Sequence, residues 1–403
     1  MNQPVRVVLV AVGGYGNTYA NAMLDGAAEH GCQIVGVVDP FAEGCRRLDE
    51  LKALGVPFYD DLDAFYAENE ADLAAIASPI HLHTPQTCTA LRNGSSVLCE
   101  KPLGATYQEA AEIIETRDRA GKFAGTGYQW SFNEAILALK GDILAGRLGA
   151  PKRLRTLVLW PRNAQYYGRN SWAGMQKDPH GNWILDSPVN NATAHYLHNM
   201  LFVLGDAVDR SAQPLAVTAE LYRANAITNY DTGVARVALA DGTEVLFYAS
   251  HAVEHQRGPE FIYEFENATV RYGAGSKTIV AEFADGTTKD YGDPQGNIPN
   301  KLWDSVAAVR GEGTISCGPE AASMQTLVMN GMQDSVPEII QFPAEQVTQV
   351  GEEGRTVAVA SGLEEALIEG YESGQLPSEL GYSWAKAGDT VDLSSYTHFP
   401  QGN

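Results

Sequence analysis

Two hydrophobic patterns alternate over roughly the first 126 residues. Short and continuously apolar runs, such as residues 5–12 and 73–78, are separated by longer stretches with helical periodicity, such as residues 15–29 and 107–120. Alternation of this kind predicts parallel strands with helices on both faces of the sheet. Continuously apolar strands fit that arrangement because both of their faces are covered. We therefore predict an α/β, doubly wound parallel sheet of the Rossmann type over residues 1–126.

The pattern changes after residue 126. A strand is predicted over residues 152–160 and a helix over 190–204, and five or six alternating apolar runs follow between residues 215 and 283. Asp-Gly turns at Asp241 and Asp285 separate some of these runs and indicate hairpins. The pattern predicts a C-terminal α+β domain, residues 127–403, with an open and mainly antiparallel sheet. Two later helices, over 299–310 and 319–332, are expected to pack on the body, whereas the last 50 residues are polar and irregular.

Composition and net charge narrow the classes of molecule that the protein is expected to bind. The chain has 403 residues, with 28 Lys and Arg against 50 Asp and Glu, and its net charge is −22. Nucleic acids and anionic membranes require a basic face, so we expect neither as a partner. The N-terminal apolar run is too short to span a membrane and lacks a cleavage pattern, which predicts a cytoplasmic protein. Five scattered cysteines without a C-x-x-C pair predict neither a disulfide framework nor a zinc site.

A glycine-rich turn follows the first apolar run. The segment Ala11-Val12-Gly13-Gly14-Tyr15-Gly16 is a G-x-G-x-x-G pattern with alanine in the first position. A glycine at position 13 lets a pyrophosphate approach the backbone, a glycine at 16 lets the helix pack on the strand, and the helix N-terminus supplies N–H donors. An ordinary strand–helix turn is the alternative interpretation.

An acidic residue ends the second apolar run. Asp39 lies in the segment Gly36-Val37-Val38-Asp39-Pro40. A carboxylate there accepts hydrogen bonds from both ribose hydroxyls and repels a 2′-phosphate, which favours NAD over NADP. The alternative is that Asp39 only caps the helix after Pro40.

Polar segments follow two further strands. Glu100-Lys101-Pro102 ends the fifth apolar run, and residues 78–85, which contain a Pro-x-x-x-His pattern, follow the fourth. Both lie where ligands bind in a doubly wound sheet. With these motifs the chain resembles, over nearly its whole length, the glucose–fructose oxidoreductase/inositol dehydrogenase (Gfo/Idh/MocA) superfamily.

The resemblance implies a nucleotide site and a catalytic lysine. In that family the lysine of Glu-Lys-Pro hydrogen-bonds the reacting hydroxyl, a role that falls on Lys101, where an ammonium stabilises developing alkoxide charge. A buried salt bridge of Lys101 is the alternative. The residues predicted to bind the cofactor are Gly13, Gly14, Tyr15, Gly16, Asp39, Ser78, Pro79, His83, Glu100 and Lys101.

The family's second motif is Asp-x-x-x-His, and its histidine matches His195. The resemblance implies that His195 is the catalytic acid/base for the substrate hydroxyl; a structural histidine is the alternative. Asn191 stands where the family has aspartate, and the spacing predicts that Asn191 and His195 share one helix face. Asn191 can bind the imidazole or a sugar hydroxyl but supplies no charge. His198 is close enough for a metal site to be conceivable, but no metal is predicted because carboxylate and cysteine companions are missing.

Residues 160–188 are the predicted specificity segment. Aromatic rings stack on the apolar faces of sugars, while Arg and Asn bind hydroxyls, so the substrate is expected to be a small carbohydrate. A loop held by aromatic residues for structural reasons is the alternative. The residues predicted to bind substrate are Tyr128, Arg162, Tyr166, Arg169, Trp172, Asn191 and His195.

These features predict an NAD-dependent oxidoreductase that acts on a secondary hydroxyl of a sugar, polyol or glycoside. The altered Asn191 and the aromatic segment motivate an alternative, a glycosidase that uses NAD as a regenerated cofactor through oxidation, elimination, hydration and reduction. A non-catalytic NAD or sugar sensor is a third hypothesis.

An oligomer is also expected. Alternating apolar positions such as Val245 and Phe247 would leave one face of the open sheet bare in a monomer. The resemblance implies that this face is covered by a second subunit, which predicts a homodimer or homotetramer.

Overall fold

The computed structural model describes residues 3–296 and 298–402. The strands are β1 (Val5–Val10), β2 (Cys32–Val38), β3 (Phe58–Tyr59), β4 (Leu73–Ile76), β5 (Ser96–Cys99), β6 (Ala124–Thr126), β7 (Pro151–Leu159), β8 (Pro214–Arg223), β9 (Thr232–Leu239), β10 (Glu244–Ser250), β11 (Arg257–Phe265), β12 (Ala268–Gly273), β13 (Ser276–Phe283), β14 (Thr288–Gly292), β15 (Ile340–Gln341), β16 (Val347–Val350), β17 (Val357–Ala360) and β18 (Val391–Asp392). The helices are α1 (Gly16–Gly26), α2 (Leu48–Ala53), α3 (Leu62–Glu68), α4 (Ile80–Arg92), α5 (Tyr107–Ala120), α6 (Glu134–Leu144), α7 (Ala164–Tyr167), α8 (Ala194–Val203), α9 (Asn300–Val309), α10 (Pro319–Ser335) and α11 (Leu363–Ser373).

The described residues form two compact units. The first contains residues up to 104, 108–133 and 295–323, and the second contains 105–107, 134–294 and the residues from 324 onward. A continuous cut at residue 126 therefore differs from the observed division, because a late segment packs with the N-terminal sheet. Leu302 and Val306 of α9 are buried in the same apolar cluster as Val7 and Leu9 of β1.

The sheet of the first unit has the strand order β3-β2-β1-β4-β5-β6. Its strand pairs are all parallel. This order confirms the doubly wound fold, in which ligands bind beyond the carboxyl ends of the strands. Alternate strand residues point to opposite faces, and each face has its own core: Val7 and Leu9 pack with α1 and α9, whereas Val8 and Val10 pack with α3 and α4. Burial of both faces explains the continuously apolar runs.

The main sheet of the second unit confirms the predicted open and mainly antiparallel sheet. Its order is β14-β13-β12-β11-β7-β10-β9-β8-β15, and β18 pairs with β8 at Ala216 and Val217. The central pair β7–β10 is parallel, and β10–β9, β8–β9 and β11–β7 are antiparallel. The alternating runs between residues 215 and 283 correspond to β8–β13.

The C-terminal 50 residues have more structure than their polarity suggested. They contain β17 and α11, and Leu363, Leu367 and Tyr371 of that helix are buried in one cluster with Leu246 and Tyr248 of β10. This segment covers one face of the sheet within the same chain, while α8 contacts β7 and β10. Val245 and Phe247 are themselves fully buried. Val245 and Phe247 therefore do not mark a bare face of the sheet, and a dimer or tetramer stays a prediction.

One helix was predicted over residues 190–204, but the structure divides it. Residues Pro188–Ala192 form a π-helical turn, Thr193 leaves helical geometry, and α8 begins at Ala194. Pro188 begins the turn, and its carbonyl accepts the N–H of Thr193, five residues on. Among the described residues, no helix has the length and apolarity that a membrane crossing requires.

Candidate functional site

The turn after β1 has the backbone geometry of an anion-binding loop. Ala11 has φ +62° and Gly14 has φ +50°, so both are left-handed. The alanine in the first fingerprint position therefore takes the conformation for which glycine is best suited. Only glycine fits at position 16, because a Cβ there would lie 2.0 Å from the carbonyl oxygen of Ala11.

The same turn offers unused donors. Within residues 3–296 and 298–402, no acceptor takes up the backbone N–H groups of Gly13, Gly14 and Tyr15, which precede the first turn of α1. Three such groups at a helix N-terminus fit the pyrophosphate of a dinucleotide. Asn17 holds the turn in place, because its Nδ2 donates to the carbonyls of Gly14 and Gly44, each at 3.2 Å. Asn17 was not predicted from the sequence, where its only signal was an amide just after the last glycine.

Asp39 is bound to the glycine turn. Its Oδ2 accepts the N–H of Val12 at 2.8 Å, and its Oδ1 accepts the N–H of Phe41 at 2.8 Å. The two interpretations of Asp39 thus coexist: it caps the short turn after Pro40, and it also stands at the end of β2 beside the glycine segment. Each carboxylate oxygen retains a second lone pair for a ribose hydroxyl.

A buried ion pair anchors the Glu-Lys-Pro segment. The Nζ of Lys301, on α9, donates to Glu100 Oε1, to Tyr15 Oη at 3.0 Å and to the carbonyl of Gly127 at 3.2 Å. Tyr19 Oη donates to Glu100 Oε1 at 2.6 Å. The side chain of Lys301 is 0% exposed and that of Glu100 is 7% exposed. The carboxylate predicted to bind cofactor is therefore already occupied by the protein.

Charge stabilises this pair against desolvation. Burial alone lowers the pKa of the Lys301 ammonium, but the adjoining Glu100 carboxylate and Tyr15 hydroxyl more than offset that effect, and the pKa is raised. Burial next to Glu100 raises the pKa of Tyr19 well above its usual value, which keeps its proton in place for the hydrogen bond. Sequence reasoning missed Lys301; its only signal was a lysine in an otherwise amphipathic helix, 201 positions from its partner.

His83 joins the segments that follow β4 and β5. Its Nδ1 lies 2.7 Å from the carbonyl oxygen of Pro102 and its Nε2 lies 2.9 Å from that of Ser78. Burial lowers the pKa of His83, so the ring is neutral and can donate to only one of the two carbonyls. The ring fixes the position of Pro102 and hence of Lys101. A direct contact of Ser78, Pro79 or His83 with the cofactor stays a prediction.

Tyr128, predicted to bind substrate, is buried. It is 0% exposed, and burial raises its pKa well above the usual value. It directly follows β6, where the neighbouring Trp130 is buried as well. A contact of Tyr128 with substrate stays a prediction.

Asn191 and His195 do not share the predicted α-helical face. Asn191 lies in the π-helical turn, whereas His195 lies in the first turn of α8 and is partly exposed. The Nδ2 of Asn191 donates to Asp186 Oδ1 at 2.7 Å. A carboxylate thus stands beside the residue that replaces the family's aspartate. Asp186 was missed because it lies outside the five-residue motif.

The other predicted substrate residues of the second unit are brought together. The Arg169 guanidinium carbon lies 3.8 Å from the centre of the Tyr166 ring and 5.3 Å from that of Trp172. Arg162 approaches the same Tyr166 ring at 5.1 Å. The described residues contain no group of three or more His, Cys, Asp or Glu able to hold a metal ion. His198 is fully buried, and burial together with nearby Lys140 lowers its pKa to about 3.

Comparison with known protein families gives a match in the N-terminal part of the chain. Residues 5–128 match the model of the GFO_IDH_MocA family, described as an oxidoreductase family with an NAD-binding Rossmann fold. The prediction of an NAD-binding domain is thereby confirmed.

Two curated relatives match over longer stretches of the chain. The 1,5-anhydro-D-fructose reductase of Ensifer adhaerens is 30% identical over 147 residues, which is 36% of this chain and 41% of that protein. The 2,7-anhydro-N-acetylneuraminate hydratase of Mediterraneibacter gnavus is 27% identical over 172 residues, 43% of this chain and 41% of that protein. The match thus spans less than half the length of either relative.

Solved structures show the fold of the chain more widely. The WlbA dehydrogenase from Bordetella pertussis, crystallised with NADH and UDP-GlcNAcA, superposes with a TM-score of 0.68. The superposition covers 83% of this chain and 97% of that one at 20% sequence identity.

Proposed function

We propose, from the match of residues 5–128 to the GFO_IDH_MocA oxidoreductase family, that the protein is an NAD-dependent oxidoreductase acting on a secondary hydroxyl of a sugar, polyol or glycoside. The observation that carries the proposal is the buried Lys301–Glu100 pair. This pair fixes the segment after β5, in which Lys101 directly follows Glu100. The pair also lies beside the glycine turn with its three unused N–H donors.

Bound NAD supplies the hydride acceptor for the alcohol carbon. The backbone N–H groups of Gly13, Gly14 and Tyr15 hold its pyrophosphate, and Asp39 holds the adenosine ribose hydroxyls and disfavours a 2′-phosphate. Nothing in this donor set requires a Lys or Arg, which accords with the acidic composition of the chain.

Lys101 has the catalytic role of hydrogen-bonding the reacting hydroxyl. Its ammonium stabilises the negative charge that develops on that oxygen. Two buried groups position it: Glu100, directly before it in the chain and held by Lys301, and His83, against the carbonyl of Pro102. His195 accepts the hydroxyl proton as general base. Asn191, oriented by Asp186, binds a neighbouring substrate hydroxyl through its amide oxygen.

The test is nucleotide reduction. The purified protein is incubated with NAD and a panel of neutral and acidic sugars and polyols, and the absorbance of reduced nicotinamide is followed. Lys101→Met is expected to lower kcat by about 100-fold or more. Lys52→Met, at an exposed position of α2, is the control and should behave as wild type. Wild-type turnover by Lys101→Met would refute the assigned role.

A glycosidase with a regenerated NAD is the second candidate. The observation favouring it is Asn191, which stands in place of the family's aspartate, and the relationship to an anhydro-sugar hydratase points the same way. It predicts release of the aglycone from a chromogenic glycoside without accumulation of reduced nucleotide. Accumulation of reduced nucleotide in proportion to product would exclude it.

A further inference from the structure

A pair of arginines in the second unit lacks a matching pair of acids. We define the arginine cluster as Arg162, Tyr166, Arg169, Asp186 and His251. Arg162 and Arg169 both lie against one ring, that of Tyr166. In a chain with 22 more acidic than basic residues, two guanidinium groups with one carboxylate within ion-pair distance among the described residues are an unusual concentration of positive charge.

Among the described residues, Arg162 has few polar partners: the side chain of Tyr166 and, at long range, a backbone carbonyl. Its guanidinium lies 5.6 Å from the Trp160 ring centre and 5.1 Å from that of Tyr166, and its Nη1 makes one long contact, 3.5 Å, with the carbonyl of Pro161. Its Nε is buried without a hydrogen-bond partner. In the part of the chain that the structure describes, no carboxylate lies within ion-pair distance of it. Several of its five N–H donors are therefore available to a ligand.

Arg169 has only a shared counter-charge. Its Nη1 donates to the carbonyl of Tyr166 at 2.6 Å, and its Nη2 lies 3.5 Å from Asp186 Oδ2. That same oxygen accepts the N–H of Gly174 at 2.6 Å, and the other oxygen of Asp186 accepts from Asn191. The carboxylate is thus divided among several donors, and the cluster keeps a net positive charge.

His251 adds a hydrogen-bonding group without adding charge. It is buried, and burial, together with the nearby Arg162 and Arg169, lowers its pKa well below the usual value, so the ring is neutral. Its Nδ1 lies 3.4 Å from Tyr167 Oη, whereas its Nε2 is buried without a partner. The ring lies 5.5 Å from that of Tyr166, edge to face.

We propose that Arg162 and Arg169 bind an anionic group of the substrate, a carboxylate or a phosphate, and that the substrate is therefore an acidic sugar or a sugar phosphate. That the anionic group belongs to a substrate rests on the proposed function, whereas anion binding by the two arginines does not depend on it. Arginine forks match the geometry of both anions.

A purely structural role does not account for the cluster. Stacking on Tyr166 and Trp172 orients a guanidinium plane but does not satisfy its in-plane N–H donors. Buried polar atoms such as Arg162 Nε and His251 Nε2 are costly when unpaired, and a polar group of a ligand removes that cost. The cluster is also continuous with the catalytic motif, since Asp186 bonds both Arg169 and Asn191.

Binding of matched sugars, measured by calorimetry, tests the proposal. The probes are glucuronate and galacturonate for a carboxylate, glucose 6-phosphate and galactose 6-phosphate for a phosphate, and glucose and galactose as neutral controls. We expect at least one acidic probe to bind about tenfold or more tightly than its neutral parent, and the class that binds identifies the anion. Arg162→Gln and Arg169→Gln should each remove about tenfold or more of that affinity.

Two controls keep the result specific. Arg271→Gln changes an arginine of β12 whose side chain is 52% exposed, and it should bind the probes as wild type does. Arg162→Lys, which keeps the charge, should retain part of the affinity, and NAD affinity should not change in any variant. Equal binding of acidic and neutral probes by wild type, or unchanged affinity in both glutamine variants, would overturn the proposal. Arginine-dependent anion binding without nucleotide reduction by any sugar would leave this inference standing and count against the proposed function.

Discussion

Removal of the Lys301 ammonium is the sharpest perturbation of the nucleotide-binding unit. Lys301→Met keeps a side chain of similar length and leaves the Glu100 carboxylate, 7% exposed, without its cationic partner. Tyr19 remains as a donor to Glu100, but Tyr15 Oη and the carbonyl of Gly127 lose the ammonium that donates to them. Removing one partner from a buried ion pair costs about 3–5 kcal/mol, mainly because the other charge stays buried.

Chemical denaturation followed by tryptophan fluorescence measures this cost. Trp130 and Trp303 belong to the same unit as the pair and report on it. We expect Lys301→Met to lower the free energy of unfolding by about 3–5 kcal/mol, and Lys52→Met, at an exposed site, to change it by less than about 0.5 kcal/mol. Glu100→Gln combined with Lys301→Met should cost less than the sum of the single changes by about 1–3 kcal/mol, because the double variant buries no lone charge. A cost below about 1 kcal/mol for Lys301→Met, or strict additivity in the double variant, would refute the reasoning.

Three further predictions concern single residues. Ala11→Gly relieves a left-handed alanine (φ +62°) and should raise the free energy of unfolding by up to about 1 kcal/mol in urea titrations; a loss of stability would contradict the strained geometry. Asp39→Ala removes the acceptor of the Val12 N–H and of the ribose, so calorimetry should show NAD affinity about tenfold lower and weaker discrimination against NADP; unchanged affinity would argue against the site. His198 has its pKa lowered to about 3 from 6.5, so the unfolded chain takes up a proton that the folded chain refuses, and stability is lost as pH falls below 6.5 by about 1.4 kcal/mol per pH unit. His198→Leu should reduce that slope, measured between about pH 7 and pH 5, and an unchanged slope would show that His198 is not buried neutral.

The sequence predicted what depends on neighbouring residues. Continuous apolar runs and the glycine turn were sufficient for the doubly wound sheet, because burial of both strand faces and the geometry of Gly16 are local requirements. The alternating runs located β8–β13 for the same reason. The clustering of Arg162 and Arg169 was anticipated only as membership of one aromatic segment, without the shared Tyr166 ring.

What the sequence did not predict depends on distant residues. Lys301 meets Glu100 only after α9 packs on the N-terminal sheet, and no local pattern encodes that pairing. The polarity of the last 50 residues hid α11, whose few apolar side chains suffice to cover a sheet face. The i, i+4 spacing of Asn191 and His195 assumed regular α-helix, and the π-helical turn at Pro188–Ala192 breaks that assumption.

Transfer of an isotope label tests the central claim most directly. A sugar that reduces NAD in the panel is prepared with deuterium on the carbon of the reacting hydroxyl, and the recovered nucleotide is analysed by mass spectrometry. We predict one deuterium in the reduced nicotinamide for wild type and for Lys52→Met, and almost none within the same time for Lys101→Met. Reduced nucleotide without deuterium, or equal labelling by Lys101→Met, would contradict an oxidoreductase whose chemistry depends on Lys101.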